Sequence, residues 1–148
     1  MGTLIRLPLA SGLLTGKIDA AYIDALDAGD HRKFNAAGAA FDKGETWSGL
    51  GQHLSDVALP AVAKLNAIHT GALSRGEVPA GTSLTQAALR WILDHEGASC
   101  VIPGARTIEQ VDGNLGAARL APLPSQFHSE VHCVYDALVK SVIEAEKW

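Results

Sequence analysis

Cysteine, aromatic side chains, long apolar runs and any surplus of positive charge are all scarce in this chain of 148 residues. Its two cysteines, Cys100 in an apolar run and Cys133 in a helical pattern, are too few for a disulfide framework. They read as buried thiols in a reducing compartment, which points to a cytoplasmic protein. No apolar run approaches the ~20 residues a membrane span requires, so no membrane segment is expected. The first ten residues do not make a signal peptide, because Arg6 and Pro8 interrupt the apolar stretch and no basic region precedes it. Nor do they make a myristoylation site, which wants Ser or Thr where Arg6 stands. Twelve basic residues against sixteen acidic ones give a net charge of −4, and the basic residues are scattered, so no nucleic-acid partner is expected. No metal is expected either. His128 and His132 stand at i and i+4, but a zinc-protease helix places glutamate directly after the first histidine, and Glu130 comes two residues later.

What is present is a globular composition, 47% hydrophobic with a mean hydropathy of +0.12, in one domain's length of chain. Leu4–Leu9 is a short apolar run suited to a buried parallel strand, with Pro8 marking its end. A glycine-bearing turn follows at Ala10–Lys17. Only three residues separate Gly12 from Gly16 where a Walker loop has four, so it is not that nucleotide loop, although its glycines allow a ligand close to the backbone. From Ile18 to about Gly51 no period is sustained. Phe34, Phe41 and Trp47 there serve either a functional lid or the pinning of a loop to the body.

Helical spacing begins at Leu54 and runs through Val57, Ala61, Leu65, Ile68 and Ala72, with Asp56 as a cap and Pro60 in the first turn. Ser83 and Gln86 form a capping box for a second helix, whose stripe is Leu84, Ala87, Ala88, Trp91 and Ile92 and which Gly97 stops. Ala98–Ile102 reads as a second strand. Thr107 caps a third helix reaching about Ala118, with Ile108, Val111, Leu115 and Ala118 on one face. A last helix from about Ser125 buries Phe127, Val131, Val134, Leu138 and Val142. This order implies a parallel crossover in an α/β protein. Two strands alone make a poor sheet, and their apolar edges call for more of one.

The second strand enters the turn Pro103-Gly104-Ala105-Arg106, and a helix opens directly after it. Unpaired N–H groups at a helix N-terminus favour an anion, and Arg106 adds a planar charged fork suited to a phosphate monoester. Gln110 and Asn114 follow Arg106 at steps of four and share its face. Gln110 also fits a capping box with Thr107, which would give it a purely structural role.

Two segments, Arg6-Leu7-Pro8-Leu9-Ala10-Ser11-Gly12-Leu13-Leu14-Thr15-Gly16-Lys17 and Ile102-Pro103-Gly104-Ala105-Arg106 with Gln110 and Asn114, resemble the C-terminal part of an aldo-keto reductase. So do Phe41-Asp42-x-Gly44-Glu45-Thr46-x-Ser48-Gly49 and Ser83-Leu84-x-Gln86-Ala87-Ala88-Leu89-Arg90-Trp91-Ile92-Leu93, in the same order. The resemblance implies a C-terminal fragment of a (β/α)8 TIM barrel, with Leu4–Leu9 and Ala98–Ile102 as its seventh and eighth strands. It agrees with the usual place of barrel phosphate sites after those strands. By the same resemblance, Leu9, Ser11, Gly12 and Leu14 meet the pyrophosphate and ribose of NADP, largely through backbone groups. Gly104, Ala105 and Arg106 hold the 2′-phosphate, and Gln110 and Asn114 lie against the adenine.

The family reduces aldehydes and ketones with an aspartate, a proton-donating tyrosine, a lysine and a histidine. The resemblance places those on earlier strands, so residues 1–148 hold no catalytic set; Tyr22, Tyr135 and Lys17 do not match it. Three expectations follow: an NADP-binding part of a reductase inactive by itself, a truncated gene product, or an interaction module that completes a barrel with a complementing or self-associating chain.

Overall fold

A computed structural model describes residues 2–34 and 53–142. Strands β1 (Leu4–Ile5) and β2 (Cys100–Val101) pair in parallel, Leu4 opposite Cys100 and Ile5 opposite Val101. The helices among the described residues are α1 (Ala20–Asp24), α2 (His31–Phe34), α3 (Leu59–Ser74), α4 (Leu84–Leu93), α5 (Ile108–Ala117) and α6 (Ser125–Val134). A tight turn occupies Ala10–Thr15 after β1, and single wide turns at Leu54–Ala58 and Tyr135–Val139 extend α3 and α6. The protein is thus a helix-rich α/β fold with two parallel strands among the described residues. No described helix is long and apolar enough to cross a membrane.

Local sequence explains the helix starts. The Ser83 hydroxyl accepts from the Gln86 N–H at 3.2 Å while the Gln86 carbonyl oxygen accepts from the Ser83 N–H at 2.9 Å, the reciprocal pair expected of a capping box. The same Gln86 side chain donates to the Gly113 carbonyl at 3.0 Å and so ties α4 to α5. Pro60 sits in the first turn of α3, where its missing N–H costs nothing. Thr107 opens α5 by accepting from the Gln110 N–H at 3.3 Å.

Two apolar clusters hold these elements. Ala72, Val78, Ala87, Leu123 and Phe127 join α3, α4 and α6, with Ile68, Leu73, Trp91 and Val131 packed around them. Leu13, Ile18 and Ala58 form the second, directly beneath the turn that follows β1. Asp94, at the end of α4, gathers Arg90, the Leu123 N–H and His128, which fastens α6 to α4.

Several expectations are corrected. The run Leu4–Leu9 is strand only at Leu4–Ile5, because Leu7 has φ +50° and turns the chain away before Pro8. Ala98–Ile102 shortens likewise to Cys100–Val101, as long as the partner it pairs with. Both cysteines are exposed rather than buried: Cys100 lies in a sheet with one neighbour, and Cys133 lines an open groove between α3 and α6. Asp56 does not cap α3, whose N-cap is Ala58 with no side-chain bond. On α5 the packed side holds Gly113, Gly116 and Ala117, and the aliphatic side faces out, Ile108 being 75% and Leu115 57% exposed. Phe34 is exposed; Phe41, Trp47 and the motif from Phe41 to Gly49 lie outside the described residues.

Candidate anion-binding site

Parallel pairing sends both strands out of the sheet on the same side, so the loops after β1 and β2 leave it together although about a hundred residues separate them. The first loop is conformationally unusual. Leu7, Ala10 and Ser11 have φ of +50°, +47° and +53°, a region costly for residues with a Cβ, and Gly12 follows at +96°. Thr15 locks it by donating its hydroxyl to the Gly12 carbonyl at 2.7 Å, and Leu13, 3% exposed, plugs it into the apolar cluster below. The Ser11 hydroxyl is buried without a hydrogen-bond partner.

The segment carrying α1 and α2 lays a charged unit over this turn. Arg32 grips Asp30 through two bonds, Nε to Oδ1 at 2.9 Å and Nη2 to Oδ2 at 2.7 Å. Its remaining nitrogen, Nη1, donates to the Tyr22 hydroxyl at 3.3 Å, with the guanidinium 5.4 Å from the Tyr22 ring centre. A Cβ on Gly12 would lie 3.6 Å from that same Nη1. The Asp30 carboxylate, and after it Tyr22, holds the guanidinium above its already high range against the opposing effect of burial, so Arg32 is a fixed cation.

Arg106 reaches the same place from the second loop. A cleft of about 480 Å³ is lined by Tyr22, Asp27, Asp30 and Arg32 on one side and by Arg106 on the other. Among the described residues the Arg106 guanidinium has no hydrogen-bond or ion-pair partner. The α1–α2 segment and the loop after β2 therefore line one cleft with one paired arginine and, among the described residues, one unpaired arginine, and Arg32 also reaches the Gly12 turn.

The sequence model of the Aldo/keto reductase family matches residues 2–136. The chain belongs to the aldo/keto reductase family. An oxidoreductase-type function and a nicotinamide cofactor are the family's usual properties, so the cleft of this aldo/keto reductase chain can be tested for fit to a phosphate-bearing cofactor.

The fit is good at Ser11, Gly12 and Arg106. A buried hydroxyl without a partner wants one, Gly12 without a Cβ lets Arg32 Nη1 come close to the turn, and the Arg106 guanidinium suits a monoester phosphate. The other expected residues are arranged differently. The N–H groups of Gly12 and Leu14 both donate to the Leu9 carbonyl, at 2.9 and 3.3 Å, so they are engaged within the loop itself. Gly104 and Ala105 are exposed beside Arg106, and a Cβ on Gly104 would meet nothing within 4 Å. Gln110 accepts from the Arg106 N–H at 2.6 Å and Asn114 donates to the Gly104 carbonyl at 3.4 Å. Both side chains thus brace the turn, each keeping one polar end uncommitted in these bonds.

Four polar residues of the cleft were not singled out as site residues in the sequence: Tyr22, Asp27, Asp30 and Arg32. The only local signal was an aspartate two residues before an arginine in an aperiodic stretch. His128 and His132, the pair of metal-like spacing, are both drawn to other partners. His128 Nε2 lies 3.1 Å from Asp94 Oδ2, and the His132 ring packs 5.8 Å from the Trp91 ring.

Proposed function

We propose that this chain is the NADP(H)-binding part of an aldo/keto reductase, with β1 and β2 as the seventh and eighth strands of a (β/α)8 barrel. The observation that carries the reading is a cleft between the α1–α2 segment and the loop after β2, where Arg32 adjoins the Gly12 turn and Arg106 is unpaired among the described residues. Ser11 and the Gly12 turn hold the pyrophosphate. Arg106 holds the 2′-phosphate, its turn kept in shape by Gln110 and Asn114. The uncommitted amide ends of those two residues face the adenine. When bound, the cofactor supplies a hydride for the reduction of an aldehyde or ketone to an alcohol.

Since only NADP carries the 2′-phosphate, a fluorescence titration is expected to show tighter binding of NADPH than NADH. Arg106→Ala is expected to remove most of that preference, about a 10- to 100-fold loss for NADPH from one charge-assisted contact. Equal affinities in the native chain would refute Arg106 as the selector. In this reading the proton donor and its partners stand on earlier strands of the barrel, so residues 1–148 by themselves are expected not to reduce a carbonyl. NADPH consumption with a model aldehyde by this chain alone would overturn that expectation.

One observation favours an additional role in association. The outward aliphatic face of α5, with Ile108, Val111 and Leu115, and the exposed Leu4 and Ile102 are the kind of surface that further barrel units cover. Light scattering on the chain and on Val111→Lys with Leu115→Lys tests this: association that the double substitution abolishes supports the role, and a monomer in both cases removes it.

A further inference from the structure

Among the described residues, the charged groups that line the cleft are two of each sign. Arg32, Asp27 and Asp30 line one side of a space of about 480 Å³ and Arg106 the other, so these residues add no net charge to the cleft that is to take an anion. The two arginines are not equivalent in this balance. Arg106 is unpaired, whereas the side-on edge of Arg32 is filled by both oxygens of Asp30. The pair is mostly withdrawn from solvent, with side-chain exposures of 12% and 9%, so water screens it weakly.

A planar carboxylate bound through two parallel N–H bonds is the same arrangement by which a guanidinium grips a phosphate. Arg32 is also the cation placed over the phosphate-binding turn, its Nη1 within 3.6 Å of where a side chain on Gly12 would begin. We infer that Asp30 is a built-in counter-anion which competes with the ligand's phosphate for Arg32 and thereby sets how tightly the cleft binds anions. The inference rests on the cofactor reading above and adds to it a residue that weakens binding. The bond between Arg32 and Asp30 loosens as a pyrophosphate takes the guanidinium, and the Tyr22 hydroxyl, an acceptor for Nη1, keeps its own proton to donate to the incoming oxygen. Because pyrophosphate is common to NADH and NADPH, Asp30 governs affinity for both alike, while Arg106 governs the choice between them.

Asp30→Asn is the discriminating substitution. The amide side chain would keep the shape and the capping bond that Asp30 Oδ1 now accepts from the Arg32 N–H at 3.0 Å, since asparagine caps as well as aspartate does. It removes the charge and, by putting an N–H donor where Oδ2 stands, the second bond to Arg32 Nη2. Titrations of the full 148-residue chain with NADPH, NADH and inorganic pyrophosphate are expected to tighten by a common factor of roughly five to ten at low salt, the scale of one unit charge a few ångströms away at partial burial. In an Arg32→Gln background the same substitution is expected to gain less than in the native chain, because the contested cation is gone; an equal or larger gain there would make Asp30 a plain repulsive charge and overturn the inference. Circular dichroism checks that each variant is folded.

Weaker or unchanged binding in Asp30→Asn overturns the inference and makes Asp30 a support that aims Arg32, while leaving the cofactor reading standing. A gain for NADPH without one for NADH overturns it too, since the competition would then be at the 2′-phosphate. Binding by the variant where the native chain shows none supports it, and no binding by either overturns both the inference and the cofactor reading.

Discussion

His69 sits on α3, 5% exposed, in a position that makes the fold sensitive to acid. Its ring hydrogen-bonds with the Thr82 backbone, and its Nε2 is buried with no partner. Burial lowers its proton affinity below that of an ordinary histidine, with the Thr82 bond opposing in part. The folded chain therefore keeps His69 neutral where the unfolded chain would already carry a proton. The sign follows from this difference. Below the unfolded value of about 6.5 the unfolded state binds more protons, so stability rises with pH there and is lost as the pH falls. Above that value both states are neutral and the contribution is complete.

The size of the effect is bounded. One proton taken up on unfolding changes stability by at most about 1.4 kcal/mol per pH unit. Between pH 7.5 and 5.5 the loss from His69 is thus limited to about 1.4 kcal/mol, a visible part of the roughly 5–15 kcal/mol that holds a small domain. Urea unfolding followed by circular dichroism at pH 7.5, 6.5 and 5.5 measures it, comparing the native chain with His69→Gln and His69→Leu. Both variants are expected to start less stable and to lose less on acidification. The contact between His128 and Asp94 is common to all three proteins and cancels in the difference. Parallel curves for native chain and variants between pH 6.5 and 5.5 would refute the reasoning.

Gly12→Ala is expected to cost about 1–2 kcal/mol, mainly from φ +96° rather than space, since the new Cβ would sit 3.4 Å from Ile18 Cδ1; a thermal melt reads the loss, and NADPH affinity should fall with it. Ser83→Ala removes the hydroxyl that caps α4 and should cost about 1 kcal/mol in urea, with circular dichroism showing the same helix content. Asp94→Ala is expected to cost about 3 kcal/mol, because it leaves Arg90, the Leu123 N–H and His128 without their common acceptor. Burial raises the Asp94 proton affinity, but the Leu123, Arg90 and His128 bonds outweigh it, so this contribution is present above the ordinary carboxylate range and fades as the pH drops below it. Acid titrations of the native chain and the variant should converge there.

Local chemistry was legible in the sequence and long-range placement was not. Ser83 with Gln86, and Thr107 with Gln110, announce helix starts because the bonds span three residues. The stripe of α6 was readable for the same reason, with Phe127 and Val134 buried as the spacing predicts. Periodicity also gave Ile108, Val111 and Leu115 as one face of α5, but which face packs depends on the neighbour. Here Gln86 reaches the Gly113 carbonyl and crowds Gly116, so the small-residue side is the one that closes on α4. In the candidate site, Ser11, Gly12 and Arg106 stand out in the sequence by motif and chemistry, and the fold sets Gly12 beside Arg32 and Arg106 on the same cleft as Arg32. Arg32 does not stand out, since an aspartate and arginine two apart look like any exposed pair until the fold sets Nη1 beside Gly12. Gln110 and Asn114 were readable as a spacing, yet the backbone groups they brace are set by the turn's shape rather than by their own type.

The backbone cost of the first loop bears on why such a site is built this way. Three residues with a Cβ in the left-handed region each cost about 1–2 kcal/mol, and a loop free to relax would not keep them there. What holds them is on either side of the turn: Leu13 buried with Ile18 and Ala58 below it, the Thr15 bond to the Gly12 carbonyl within it, and the Arg32, Asp30 and Tyr22 unit above. Burying one leucine contributes about 1.5–3 kcal/mol, comparable to one or two of the three strained residues, so Leu13 alone does not offset the strain and the other contacts supply the difference. The turn is consequently shaped before a ligand arrives, and binding energy is not spent in shaping it.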